Sequence, residues 1–148
     1  MNLLKNCLIK EVAAPVAAAS DTDQNSDILD MQGYDGVCFI VPVTDSVATG
    51  VATLTVEQNS DNSDTGMAAL SGGAATGTSA ENDDLNNKLL IVDVYRPRER
   101  YVQGVITSTT ANIAFGNMIA IQYKGSKCPI TADSSVIQAT SAFGPAEA

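Results

Sequence analysis

The fold is decided by Leu89-Leu-Ile-Val-Asp-Val-Tyr95, an apolar run rich in β-branched residues that lies between two turn-rich stretches. Arg100–Thr107 and Asn117–Lys124 have the same character, and Val37–Val43 and Gly50–Glu57 show it earlier in the chain. Such segments are typical of β-strands. None is flanked by a helical period long enough to cover a parallel sheet, so the sequence predicts an all-β fold, an antiparallel sandwich.

The composition predicts one small domain with a limited core. The chain has 148 residues and 15.3 kDa; Val, Ile, Leu and Phe together number 35, and 20 further hydrophobic residues are Ala. The large apolar residues are concentrated in the predicted strands, so the remaining segments cannot bury themselves. We therefore predict an N-terminal arm at residues 1–30, a sandwich core at 31–131 with a long loop at 58–87, and a C-terminal tail at 132–148.

The first twenty residues superficially resemble a secretory signal, because they end in the small-residue run Ala13–Ser20 (AAPVAAAS). Lys10 and Glu11 interrupt the apolar stretch that such a signal requires, which favours a retained arm. No apolar run approaches the roughly 20 residues that span a bilayer, so the sequence predicts no membrane partner.

The charge distribution is more informative than the net charge of −9. Thirteen acidic residues and no Lys or Arg lie between Glu11 and Asn87, which argues against a nucleic-acid partner because phosphate binding needs clustered Lys and Arg side chains. Arginines cluster instead in Tyr95-Arg-Pro-Arg-Glu-Arg-Tyr101, which we predict to be the tip of a hairpin between two strands.

Two interpretations of this cluster stay open. The arginines could pair with Glu99 and nearby Asp side chains at a solvated hairpin tip. They could also dock on an acidic protein surface, since Arg and Tyr are enriched at interfaces. The candidate protein-interface residues are Tyr95, Arg96, Arg98, Arg100 and Tyr101.

No residue pattern indicates catalysis, a cofactor or a metal. The chain has no His, and its three Cys show no C-x-x-C spacing, which favours reduced thiols and synthesis in the cytoplasm. Cys38 alternates into an apolar strand and is predicted to be a core residue. Asp61–Gly66 (DNSDTG) has Gly72 where a calcium loop would place its bidentate Glu, so the sequence predicts a non-enzymatic protein without cofactor or metal.

Four segments carry a resemblance to a known class of proteins: Asp35–Thr44 (DGVCFIVPVT), Ala52–Ser63 (ATLTVEQNSDNS), Arg96–Thr107 (RPRERYVQGVIT) and Ile119–Tyr123 (IAIQY). Together they resemble the capsid decoration, or cement, proteins of tailed bacteriophages, over about residues 28–131. The resemblance implies a β-sandwich or jelly-roll-like core and brings no catalytic residue. It implies a structural virion protein on the capsid surface.

The partners implied are the major capsid protein and further copies of the chain, as a dimer or trimer. The function expected from the resemblance is to stabilise the capsid by bridging neighbouring major capsid subunits. Two alternatives stay open, namely another virion component such as a tail-tube or head-completion protein, and a β-sandwich module that binds carbohydrate or a host surface. The absence of Trp speaks against the last, because sugar faces usually stack on aromatic rings.

Overall fold

Two antiparallel sheets face each other in the computed structural model, which describes residues 2–142 and 144. The chain is 51% strand and 3% helix, which confirms the prediction of an all-β antiparallel sandwich. The elements are α1 (Leu3–Asn6), β1 (Cys7–Ala13), β2 (Val16–Ala19), β3 (Asp23–Asn25), β4 (Leu29–Asp30), β5 (Gly36–Ser46), β6 (Val51–Asn59), β7 (Ala68–Thr78), β8 (Lys88–Tyr95), β9 (Tyr101–Thr109), β10 (Ile113–Phe115) and β11 (Met118–Tyr123).

The first sheet is four strand positions wide, because two positions are each filled by two short strands. β5 pairs with β8 along one edge and with β10 and then β11 along the other; β2 and β1 pair in turn with β10 and β11. Pro42 explains the break between β10 and β11. It has no N–H to donate, and it faces that break, where the Gly116 N–H donates to the Pro42 carbonyl at 2.9 Å and the register shifts.

The second sheet has the order β3 and β4, β9, β6, β7. The core lies between the two sheets and is built by alternation, because successive side chains of a strand point to opposite faces. On β5, Val37, Phe39, Val41 and Val43 are buried while the residues between them are not. The other large buried side chains come from both sheets: Leu54, Val56, Val102, Ile106, Ile113, Phe115 and Met118.

The hairpin predicted around the arginines is wrong. β8 pairs with β5 in the first sheet, whereas β9 pairs with β3, β4 and β6 in the second, so residues 96–100 cross from one sheet to the other. Arg96 has a positive φ of 54° and donates its N–H to the Asp35 carbonyl at 2.7 Å, which ends β8 on the edge of β5. Pro97 follows and cannot continue a ladder.

Two segments predicted to lie outside the core are part of the sheets. The predicted arm at residues 1–30 contains α1 and four strands, and the predicted loop at 58–87 contains β7, which pairs with β6. Both segments consist mainly of small and polar residues, which carry little alternating hydrophobicity. Edge strands are held by backbone hydrogen bonds, and those leave little trace in residue type.

The predicted C-terminal tail has no helix or strand between residues 132 and 142, and residues 143 and 145–148 lie outside the described part of the chain. The segment runs beside β1. The Ile130 N–H donates to the Lys5 carbonyl at 3.1 Å, and Ser135 Oγ accepts from the Glu11 N–H at 3.2 Å.

Gly104 tests the packing between the sheets. A Cβ added there would lie 2.9 Å from Met118 Sδ and 3.0 Å from Phe39 Cδ1, whereas one added at Gly77 would lie 3.6 Å from Leu85 Cδ1, an ordinary contact. We expect Gly104→Ala to lower the free energy of unfolding by about 1–3 kcal/mol, because overpacking forces side chains to shift. Gly77→Ala, the matched control, should be close to neutral in the same chemical denaturation experiment. Equal effects at the two sites would contradict this account of the core.

Candidate protein-interaction surface

The outer face of the first sheet carries large apolar side chains on adjacent strands. Strand register places Ile91, Ile40 and Ile119 side by side across β8, β5 and β11. The next row toward the C-terminal end of β8 contains Asp93, Cys38, Ile121 and Ile9. The row on the N-terminal side of Ile91 contains Leu89 and Pro42. We call Leu89, Ile91, Ile40, Ile119, Ile121 and Ile9 the outer apolar face.

Half of these side chains are well exposed. The exposed fraction is 56% for Leu89, 50% for Ile91 and 39% for Ile119, and the other three are half-buried. Single exposed apolar residues are ordinary, but adjacent ones on a rigid sheet mark a contact surface. The signal was present in the sequence: Leu89–Tyr95 and Met118–Tyr123 are apolar at both alternating sets of positions, more than one buried face requires.

A polar pair at one end of this face is satisfied within the chain. The Tyr123 hydroxyl donates to Asp93 Oδ1 at 2.8 Å. Burial, followed by this hydrogen bond and the Asp93 charge, raises the pKa of Tyr123 well above its usual value. Cys38, predicted in the core, lies half-buried beside Asp93 on the outer face, because the odd-numbered positions of β5 face inward.

The five predicted interface residues separate into two groups. Arg100 forms an ion pair within the chain. Its Nε and NH2 groups donate to Asp30 at 2.8 and 2.6 Å, and its guanidinium lies 5.2 Å from the Tyr101 ring centre. This matches the solvated interpretation of the cluster. Arg96 stacks 5.2 Å from the Tyr95 ring centre, at the end of β8.

Arg96 and Arg98 make no ion pair with a carboxylate within residues 2–142. Both are exposed, as is Tyr95 at 52%, and Lys124 Nζ lies 5.6 Å from the centre of the Tyr95 ring. The part of the cluster that is available to a partner therefore lies beside the outer apolar face. The assignment of all five residues to an interface stays a prediction.

Two clefts flank this region. One, of about 510 Å³, separates Leu70–Gly73 of β7 from Tyr95 at the end of β8 and the residues that follow it, as far as Arg98. The other, of about 440 Å³, lies between β1 and residues 130–141 and is lined mainly by apolar side chains.

No group of three or more Cys, Asp or Glu side chains that could hold a metal occurs among the described residues. None of the described helices is long and apolar enough to cross a membrane.

Comparison with known proteins identifies a fold relative. No protein-family model matches the chain, and no curated protein matches its sequence. Among solved structures, the chain is similar to the PBSX exported protein XepA, with a TM-score of 0.54 and 13% sequence identity. The match covers 97% of this chain and 46% of that chain, so this protein spans less than half the length of its neighbour. At this identity the similarity concerns the fold.

The Asp30–Arg100 pair makes a pH-dependent contribution to the stability of the folded protein. This contribution can be separated from any effect of Arg98. Hydrogen bonds from Arg100 are the main cause that lowers the pKa of Asp30 below its usual value. A carboxyl group with a lowered folded-state pKa stabilises the protein above its unfolded-state pKa and loses that contribution as the pH falls through the folded-state value. Arg100→Ala should therefore lower the melting temperature slightly at pH 7, and the loss should be smaller at about pH 2.5, because protonation of Asp30 removes the ion pair as the pH falls through its folded-state pKa.

Arg98→Ala provides the matched control, because among the described residues only the backbone N–H of Arg98 is hydrogen-bonded, to Gln58 Oε1 at 3.2 Å. Its melting temperature should equal that of the unmodified chain at both pH values. A loss for Arg100→Ala that is the same at pH 7 and pH 2.5 would assign the effect to packing on Tyr101.

Proposed function

We propose that this chain is a non-enzymatic structural protein of a tailed phage that binds the exterior of the capsid and bridges neighbouring major capsid subunits. The observation that carries the proposal is the outer apolar face, which presents adjacent Ile and Leu side chains on a rigid sheet. Two further findings support a phage origin. Four segments of the sequence resemble decoration proteins, and the fold neighbour is an exported protein of the phage PBSX.

A rigid apolar face suits binding to a repeated partner. Sheet residues are already ordered before binding, so little conformational entropy is lost when Ile91, Ile40 and Ile119 are covered. Each contact can be modest, because a shell presents the same site many times and a copy that touches two subunits gains from effective concentration. Bridging in this way would oppose forces that separate the subunits.

Charge favours the exterior of the shell over its interior. The chain has a net charge of −9, and no Lys or Arg lies between Glu11 and Asn87. A packaged genome would repel such a surface, because phosphate binding depends on clustered positive charges. The same argument supports a partner made of protein.

Three carboxylates of the described residues are paired or hydrogen-bonded within the chain. Asp30 is paired with Arg100, Asp84 with Lys88, and Asp93 accepts from Tyr123. The chain also contains no His, the residue that most often transfers protons near neutral pH. These observations support a structural role.

Capsid binding can be tested with two substitutions of equal exposure. Ile119 lies at the centre of the outer apolar face and Val47 lies in the turn after β5, and each is 39% exposed. We expect Ile119→Asp to weaken cosedimentation with purified phage heads about tenfold or more, because burial of an aliphatic side chain contributes roughly 1.5–3 kcal/mol. Val47→Asp should bind as the unmodified chain does. Unchanged binding by Ile119→Asp would remove the outer apolar face from the capsid contact.

The fold neighbour is an exported protein, which favours a second candidate function for this chain, a phage protein exported from the cell instead of incorporated in the particle. Quantitative mass spectrometry of purified particles and of the cleared culture medium separates the two. A decoration protein should occur in the particles in a fixed ratio to the major capsid protein. Recovery from the medium, with none in the particles, would favour export.

A further inference from the structure

β8 forms an edge of the first sheet: among the described residues it pairs only with β5, and Leu70–Gly73 of β7 lies across a cleft from its last residues. The Asn87 N–H donates to the Val43 carbonyl and the Arg96 N–H to the Asp35 carbonyl, so the odd-numbered residues of β5 face β8. Because hydrogen-bonding direction alternates along a strand, Leu90, Val92 and Val94 then bond toward β5. The backbone groups of Leu89, Ile91, Asp93 and Tyr95 therefore point to the free edge.

The other sheet edges within residues 2–142 are interrupted. β7 bulges at residues 70–73, where its register with β6 shifts, and β1 is separated from β2 by Ala14 and Pro15. β3 and β4 are only three and two residues long. β8 has eight residues without Gly, Pro or a bulge. Long unprotected edges are templates for pairing with another strand.

Charge is distributed unevenly along this edge. The turn that leads into β8 carries Glu81, Asp83 and Asp84, of which Asp84 pairs with Lys88 at 3.5 Å. The turn that follows β8 carries Arg96 and Arg98, which have no carboxylate partner in residues 2–142. Because Lys88 at the start of β8 offsets Asp84, the preceding turn keeps the net negative charge of Glu81 and Asp83, whereas the turn at the other end of β8, about 26 Å further along at the usual rise per residue, is basic.

We propose that β8 pairs antiparallel with β8 of a second copy of this chain, about a two-fold axis, and joins the two first sheets into one. A two-fold axis places Arg96 opposite Lys88 of the second copy, whose charge is offset by Asp84, and brings the turn that carries Glu81 and Asp83 toward Arg96 and Arg98, so the net charges of the two ends are opposite. Parallel pairing would set like charges together. The inference is independent of capsid binding, because it concerns the chain by itself.

Side-chain register supports the same arrangement. If Val92 lies on the two-fold axis, Leu89 faces Tyr95 of the second copy on the outer face, and Leu90 faces Val94 of the second copy on the inner face. All four of these side chains are apolar or aromatic, and cross-strand pairs of this kind stabilise a sheet. In the same register Ile91 faces Asp93 of the second copy, so the outer apolar faces meet on either side of a centre that contains both Ile91 and Asp93 side chains, and Asp93 keeps its hydrogen bond from Tyr123.

Charge exchange tests the pairing in solution by sedimentation equilibrium of the purified full chain. The unmodified chain should be a dimer of twice 15.3 kDa. Arg96→Glu with Arg98→Glu makes both ends of the edge acidic, and Glu81→Lys with Asp83→Asn makes the acidic end basic. Asn is chosen because residue 83 has a positive φ of 65°, which Asn tolerates.

Each double variant alone should raise the dimer dissociation constant at least tenfold, and an equimolar mixture of the two should restore a dimer, because opposite charges then meet at both ends. A third variant, Ile91→Pro, removes one N–H of the free edge and none that faces β5, so it should be a folded monomer by circular dichroism and sedimentation. Ile119→Lys, on the outer face away from the edge, should leave the dimer intact.

The proposal is overturned if the unmodified chain sediments as a monomer at a protein concentration of about 100 µM, at which a specific dimer of even modest affinity would form. It is also overturned if folded Ile91→Pro still dimerises, or if the mixed charge variants stay monomeric. A strand of the major capsid protein found on β8 in an electron-microscopy map of decorated heads would replace the second copy as the occupant of this edge.

Discussion

The structure depends on the double pairing of β5. This strand is hydrogen-bonded along both edges, to β8 on one and to β10 and β11 on the other, while Phe39 and its buried neighbours fill the space between the sheets. Gly104 on β9 leaves room for the Phe39 ring. The first sheet is thereby built around one central strand, and every other strand in it takes its position from that pairing.

The candidate interface follows from where the chain crosses between sheets. Because β8 belongs to the first sheet and β9 to the second, the arginine segment lies at a corner of the sandwich. Arg100 is turned toward Asp30, whereas Arg96 and Arg98 remain beside the free edge of β8. A hairpin would have placed all three at one tip. The crossover instead combines an open strand edge, an apolar face and two available cations in one region.

The proposed functions use different parts of that region. Capsid binding relies on the face of the first sheet, where Ile40 and Ile119 lie, and self-association relies on the backbone edge of β8. A continuous sheet formed from two copies would present a wider apolar face than either copy alone. Such an arrangement is compatible with a bridging protein, because one particle-bound unit would then contact more than one subunit.

The five strong strands were predictable because each has a continuous run of β-branched or large apolar residues bounded by turns, and the structure places β5, β6, β8, β9 and β11 there. β7 was not, because an edge strand of small and polar residues is defined by backbone pairing, and β1 was not, because Lys10 and Glu11 interrupt its apolar residues. Composition showed the clustered charge of Arg96, Arg98 and Arg100 and left open whether they pair within the chain or with a partner, but it could not identify Asp30, seventy positions away in sequence, as the residue that pairs with Arg100.

The sequence by itself determined the strand class, the inward alternation of residues such as Phe39, and the concentration of positive charge between Tyr95 and Tyr101. These are local properties, set by residue type and by a period of two. Only the tertiary structure decided which strands pair, which face of the first sheet is left uncovered, and which arginine is neutralised within the chain. Those outcomes depend on contacts between residues distant in sequence, and strand pairing through the backbone is nearly independent of side-chain identity.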